Sequence, residues 1–89
     1  MDALELIIAE IENDINNILD SSSPSYFLTN SLIKEARLGS LEALYKLASF
    51  YSDGIFGGAK RENTIGVMRY LLELGYEPAL EWLNNNLNN

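Results

Sequence analysis

Apolar residues recur every three or four positions along residues 2–19, the spacing that places them on one face of an α-helix. Acidic residues flank this apolar stripe, so the segment is predicted to be an amphipathic helix. Most of the stripe is isoleucine, which is β-branched and a weak helix former, so packing against other helices has to hold the segment in place. The stripe consists of Leu4, Ile7, Ile8, Ile11, Ile15, Ile18 and Leu19.

Proline and glycine divide the rest of the chain into four further helical segments. Ser23 and Pro24 suit the N-cap and the first position of a helix, and Gly39 and Gly75 suit left-handed C-terminal caps. The only long loop is expected at residues 53–58. We therefore predict an all-α protein of about five helices. The predicted helices are 2–19, 25–38, 40–52, 61–74 and 77–87.

The chain also repeats itself at an offset of 36 residues. Residues 38–47 and 74–83 share the pattern L-G-x-x-x-A-L-x-x-L. The glycine turns the chain out of one helix, the small alanine lets the next helix approach closely, and the leucines fill the space between them. The pattern predicts two copies of one helical unit. We expect a single domain, 1–89, in which 1–23 form an acidic helix and linker and 24–89 form the repeats.

The first copy matches a known motif. The spacing A-x-x-G-x-x-x-A-x-x-x-L-A-x-x-Y-x-x-G starts at Ala36 and ends at Gly54, and Gly75 closes the unit. It resembles a Sel1-like repeat, a relative of the tetratricopeptide repeat, over residues 36–83, although Phe56 replaces a glycine of the family and Lys60 replaces an aspartate. The resemblance implies a short α-solenoid of helical hairpins, here with an extra N-terminal helix, that binds other proteins.

The net charge of −7 is concentrated at one end of the chain. Residues 1–23 contain six acids and no base, whereas residues 24–89 contain seven acids and six bases. Because neutralising phosphate groups requires a basic surface, we expect neither nucleic acid nor an anionic membrane as a direct ligand. No apolar run approaches the roughly 20 residues that cross a bilayer. The charge favours a basic protein as partner.

The side chains that most often carry out catalysis or hold metals are missing. The sequence has no histidine and no cysteine, which removes the commonest general base, disulfides and thiolate metal sites. Residues 54–60 contain glycines followed by a lysine but lack the spacing and the Ser or Thr of a phosphate-binding loop. We expect no enzyme activity, no cofactor and no metal. The acidic N-terminal segment lacks the pattern of a secretory signal peptide, so we expect a cytoplasmic protein.

Acidic residues of the first helix are one group of candidates for partner binding. Such residues form either a solvated face or a docking surface for a basic protein, and both interpretations are open. The acidic candidates are Glu5, Glu10, Glu12 and Asp14.

The resemblance implies a second group of candidates, on the concave face of the repeats. Tyr45 and Trp82 either contact a partner or pack within the structure, and tyrosine and tryptophan are over-represented at interface hot spots. Tyr51 occupies a packing position of the family and is expected in the core. Gly66, inside the fourth helix, predicts a close helix crossing or a hinge. The concave-face candidates are Glu42, Tyr45, Ser49, Glu81, Trp82 and Asn85.

Three functions follow as hypotheses. The first is a small acidic inhibitor, such as a bacterial immunity protein or antitoxin, that neutralises a basic toxin such as a nuclease by direct binding. The second is an adaptor or secretion chaperone that holds a peptide or helix in the concave groove. A hydrolase or metal enzyme is the third and is disfavoured by the missing side chains. A homodimer through exposed repeat edges is compatible with the first two.

Overall fold

The computed structural model describes residues 2–55 and 60–87, and all regular secondary structure within them is helical. Five α-helices are present in these ranges, which confirms the all-α prediction. A π-helical segment, Phe50–Ile55, follows the third helix directly. The α-helices are α1 (Ala3–Ile18), α2 (Pro24–Arg37), α3 (Leu41–Ser49), α4 (Arg61–Glu73) and α5 (Pro78–Leu87).

The chain divides into two compact units, Met1–Leu47 and Ala48–Asn89. The boundary falls inside α3. The first unit therefore contains α1, α2 and most of α3, and the second contains the π-helical segment, α4 and α5.

In the first unit, α1 packs against α2. The buried part of the α1 stripe consists of Ile8, Ile11 and Ile15, each at most 3% exposed. Full burial of such a side chain is worth about 1.5–3 kcal/mol, which outweighs the weak helix propensity of isoleucine. Tertiary packing thus stabilises α1, as its sequence predicts. The buried residues of α2 are Thr29, Ile33 and Ala36.

Side-chain caps define the beginnings of the helices in the first unit. The Asp2 carboxylate accepts a hydrogen bond of 2.8 Å from the Glu5 amide at the start of α1. The Ser23 hydroxyl accepts one of 3.1 Å from the Tyr26 amide, with Pro24 in the first turn of α2. These bonds satisfy amides that have no partner within a helix, so the predicted N-cap at Ser23 is confirmed.

The α1–α2 connection is held by a further acid. The Asp20 carboxylate accepts hydrogen bonds of 3.0 Å from both the amide and the hydroxyl of Ser22. These bonds stabilise the ionised form and lower the pKa of Asp20. The carboxylate therefore supports this turn at neutral pH.

The two copies of the repeat share the same backbone turn. Gly39 and Gly75 have positive φ angles of 102° and 88°. After α2, the Gly39 amide donates to the Ala36 carbonyl at 3.0 Å and the Ser40 amide donates to the Glu35 carbonyl at 3.1 Å. After α4, the amides of Gly75 and Tyr76 make the same pair of bonds, both of 3.0 Å, to Leu72 and Leu71. Both helices end in a Schellman motif, so the predicted glycine caps are confirmed.

In the second unit, α4 packs against α5 and against the π-helical segment. The core contains Tyr51, which is 2% exposed. Its predicted packing role is therefore confirmed. Thr64 is buried in α4, where its hydroxyl donates to the Lys60 carbonyl at 3.2 Å. The other buried side chains of this core are Val67, Met68, Leu71, Ala79, Trp82 and Leu83.

The prediction of a loop over residues 53–58 is wrong for its first three residues. The chain stays helical to Ile55, with the wider π-helical hydrogen bonding from Phe50 onward. Tyr51 and Ser52 are buried and the π-helical segment packs against α4. This packing stabilises a helical conformation that the glycines of the segment do not predict. Residues 56–58 of the predicted loop lie outside the described residues.

Gly66 has a different environment from the one predicted. It is exposed, and a Cβ atom added to it would meet nothing within 4 Å among the residues that the structure describes. No close helix crossing explains this glycine, and the predicted crossing is wrong.

Across residues 2–55 and 60–87, no helix has the length and apolar character needed to span a membrane.

Candidate functional site

The acidic residues of α1 lie on two different parts of the helix. Glu10 is exposed and Asp14 is half-buried on one side of the apolar stripe. Glu5 and Glu12, seven residues apart, lie on the other side and are half-buried. The four predicted acidic candidates therefore do not form a single surface.

Arg37, at the end of α2, bridges Glu5 and Glu12. Its Nη1 and Nη2 lie 3.2 and 3.1 Å from the two carboxylate oxygens of Glu12, and its Nε and Nη2 lie 3.3 and 3.2 Å from Glu5 Oε1. The hydrogen bonds from Glu12 first, and from Glu5 second, raise the pKa of Arg37. The guanidinium thus ties α1 to α2 by charge-assisted bonds.

This ion-pair network changes the interpretation of two candidates. Glu5 and Glu12 were predicted as open to a basic partner, but an arginine of the same unit already occupies their carboxylates. The seven-residue spacing of the two acids indicates that they share a side of α1. Nothing in the sequence indicates which base would reach them.

Substituting Arg37 by glutamine is expected to lower the urea midpoint of unfolding at low salt. The change removes the bridge and leaves two carboxylates close together, so their repulsion adds to the lost attraction. The difference from the wild type should shrink in 1 M NaCl, because salt screens exposed charges. Lys34→Gln on the same helix is the matched control, and an equal effect from it, or no salt dependence, would contradict the bridging role.

The candidates of α3 belong to different environments. Glu42 forms an exposed ion pair of 3.0 Å with Lys46, four residues later. Tyr45 is half-buried. The Ser49 hydroxyl oxygen is buried and has no hydrogen-bond partner among the described residues. Of these three side chains, Glu42 is the most open to a partner.

The candidates of α5 differ most from prediction at Trp82. Glu81 and Asn85 are exposed, as a binding surface requires. Trp82 is only 8% exposed, and its carbonyl accepts a hydrogen bond of 2.8 Å from the Asn86 side chain. Its indole is buried and offers little surface to a partner. Of the two roles left open for Trp82, its burial favours packing within the structure.

A small open cleft lies at the junction between α2 and α3. Its volume is about 160 Å³, and its lining includes Glu42, Lys46 and Ser40. The Ser40 hydroxyl accepts a hydrogen bond of 3.1 Å from the Ala43 amide and so caps α3. Of the cleft residues, only Glu42 was a candidate from the sequence. Within the described ranges no three acidic side chains form a group that could hold a metal ion.

Comparisons of the chain with protein-family models, curated proteins and solved structures found no match. The resemblance to Sel1-like repeats therefore rests on the motif residues of the chain itself. The candidate surfaces have to be judged by their own geometry and charge. Of these, the side of α1 that carries Glu10 combines exposure with negative charge.

Proposed function

We propose that this chain is a non-enzymatic protein-binding module that inhibits a basic protein, in the manner of a bacterial immunity protein or antitoxin. The observation that carries the proposal is the outer face of α1. Leu6, Glu10, Asn13 and Asn17 are all exposed and lie at helical spacing along one side of the helix. The helix contains no lysine or arginine. An exposed leucine beside a carboxylate and two amides gives a partner both apolar contact and charge.

Electrostatics support the same conclusion. The chain carries a net charge of −7 in 89 residues, which accelerates encounter with a basic partner and disfavours association with acidic ones. Arg37 neutralises the side of α1 that faces α2. The negative charge at Glu10 and Asp14 lies on the opposite side of the apolar stripe. A basic toxin such as a nuclease is a partner of matching charge.

The Sel1-like resemblance is part of the proposal. Its support is the pair of identical Schellman turns at Gly39 and Gly75, which give both copies of the pattern the same entry into the next helix. The alternative, an adaptor or secretion chaperone, required Tyr45 and Trp82 as anchors in a groove. Trp82 is buried, so the inhibitor interpretation has the more direct support.

The test is capture of partners on the tagged protein, followed by elution with a salt gradient. We expect one basic protein, released at moderate salt, and we expect the double variant Glu10→Lys, Asp14→Lys to reduce its capture about tenfold or more. Glu5 and Glu12 are left unchanged, because reversing them would also break the Arg37 ion pairs.

The matched control is Glu35→Lys with Glu62→Lys, which changes the net charge equally on exposed positions of α2 and α4. Equal loss in both double variants would mean that net charge alone drives capture. Tight, salt-resistant binding that survives the reversals on α1 would overturn the proposal. A captured basic protein should then be tested for toxicity in the absence and presence of this chain.

A further inference from the structure

A stripe of two leucines with an asparagine between them is left open on α5. Leu80 and Leu87 are 46% and 47% exposed, and Asn84 between them is also exposed. The three lie at positions i, i+4 and i+7, so they share one side of the helix. The adjacent side of α5, with Ala79, Trp82 and Leu83, is buried.

The first copy of the repeat has the same stripe in a buried state. Thirty-six residues earlier, the equivalent positions are Leu44, Ala48 and Tyr51. They are 1%, 0% and 2% exposed. Leu44 and Leu80 occupy the same place in the L-G-x-x-x-A-L-x-x-L pattern, and the other two positions of each stripe follow it at the same distance, but only the first stripe is buried.

Within the second unit, the part of the first stripe at Ala48 and Tyr51 lies next to a helix. The π-helical segment that contains Tyr51 packs against α4, and the Thr64 hydroxyl of α4 lies 3.5 Å from the Ala48 carbonyl. The side of α4 that is buried in this unit carries Thr64, Val67, Met68 and Leu71. The amphipathic helix α4 thus packs against the segment that contains Tyr51 and contacts the backbone at Ala48.

The residues close to the open stripe in the sequence are acidic. Glu73, Glu77 and Glu81 are exposed before and within α5, and no lysine or arginine follows Arg69 in the sequence. A second copy of this chain also carries a charge of −7, so like-charge repulsion disfavours it as the occupant. A helix with basic residues beside its apolar side matches the stripe in both shape and charge.

We propose that the stripe formed by Leu80, Asn84 and Leu87 binds a basic amphipathic helix of a partner protein, much as α4 packs against the π-helical segment that contains Tyr51. Asn84 replaces the small Ala48 at the centre of the stripe, so the occupant also offers a hydroxyl or amide to its side chain. The proposal uses a different surface from the outer face of α1 and does not depend on it.

The test uses a peptide with the sequence of residues 61–76, which includes α4, held helical by a hydrocarbon staple on its polar side. A second peptide carries Glu62→Lys and Glu73→Lys and is therefore more basic by four charges. Both are titrated into the isotope-labelled full chain and followed by NMR chemical shifts. We expect the shifts to map to α5, with the lysine peptide binding about tenfold tighter at low salt.

Variants of the full chain locate the contact. Leu80→Glu and Leu87→Glu should each weaken peptide binding about tenfold or more, while Leu28→Glu, an equally exposed leucine of α2 at 53%, should leave it unchanged. The α1 double variant Glu10→Lys, Asp14→Lys should also bind the peptide normally. Failure of this proposal and failure of the inhibitor proposal are thereby distinguishable.

Three outcomes would overturn the proposal. The first is no binding of either peptide at millimolar concentration, and the second is a shift map that avoids α5. The third is concentration-dependent dimerisation of the chain that Leu80→Glu abolishes, because the occupant would then be a second copy. The shift map is measured on the unmodified chain, so the result stands even where a variant folds poorly.

Discussion

Substitution of Leu44 by alanine is expected to lower the free energy of unfolding by about 2–5 kcal/mol, whereas Leu80→Ala should lower it by about 1 kcal/mol or less. The two leucines occupy the same position of the repeat, but Leu44 is 1% exposed and Leu80 is 46% exposed. Removing the buried side chain leaves a cavity, while the exposed one mostly returns its surface to water. Urea unfolding followed by far-ultraviolet circular dichroism measures both.

The matched control is the last leucine of the pattern. Leu47 and Leu83 are buried in both copies, at 0% and 5% exposed, so alanine at either should be costly. Similar losses at Leu44 and Leu80 would contradict the assignment of an open stripe on α5. A Leu44→Ala variant that is already unfolded without urea agrees with the expected direction.

Alanine at Gly39 or Gly75 is expected to destabilise the protein by about 1–2 kcal/mol, and alanine at Gly66 to stabilise it by about 1 kcal/mol. The first two glycines have positive φ angles, at which a side chain clashes with its own backbone. Gly66 is inside α4, where an added Cβ meets open space. Midpoints of thermal or urea unfolding distinguish the three variants.

Whether each glycine variant gains or loses stability tests the role of that glycine. Loss of stability in Gly66→Ala would mean that this glycine is needed as a hinge or for a close approach. A neutral Gly39→Ala or Gly75→Ala would mean that the Schellman turns tolerate a shift of φ. Asparagine at Gly39 or Gly75 should recover part of the loss, because asparagine adopts the left-handed conformation more readily than alanine.

Features set by a few neighbouring residues could be predicted from the sequence. The cap at Ser23, the proline in the first turn of α2, and the glycine turns at Gly39 and Gly75 depend on local backbone preferences, and the structure has them as predicted. The buried stripe of α1 follows from helical periodicity in the same way. These signals determine where helices begin and end and which side of each is buried.

Features that depend on distant residues could not be predicted. The bridge from Arg37 to Glu5 joins residues 32 positions apart, and no local pattern selects that partner. The burial of Trp82 likewise depends on how α5 packs against α4. The π-helical continuation through Asp53 occurs next to glycine, whose local preference favours a loop. In each case tertiary packing outweighs the local preference.

The identical turns after α2 and α4 have a consequence for how the chain can change in length. The stretch from Gly39 to Leu74 begins and ends at the same backbone geometry, so a duplicated copy would join its neighbours through a turn that already exists. Insertion of this stretch needs no new loop. A whole helical unit can thus be inserted or deleted at these glycine turns without a change in the turn itself.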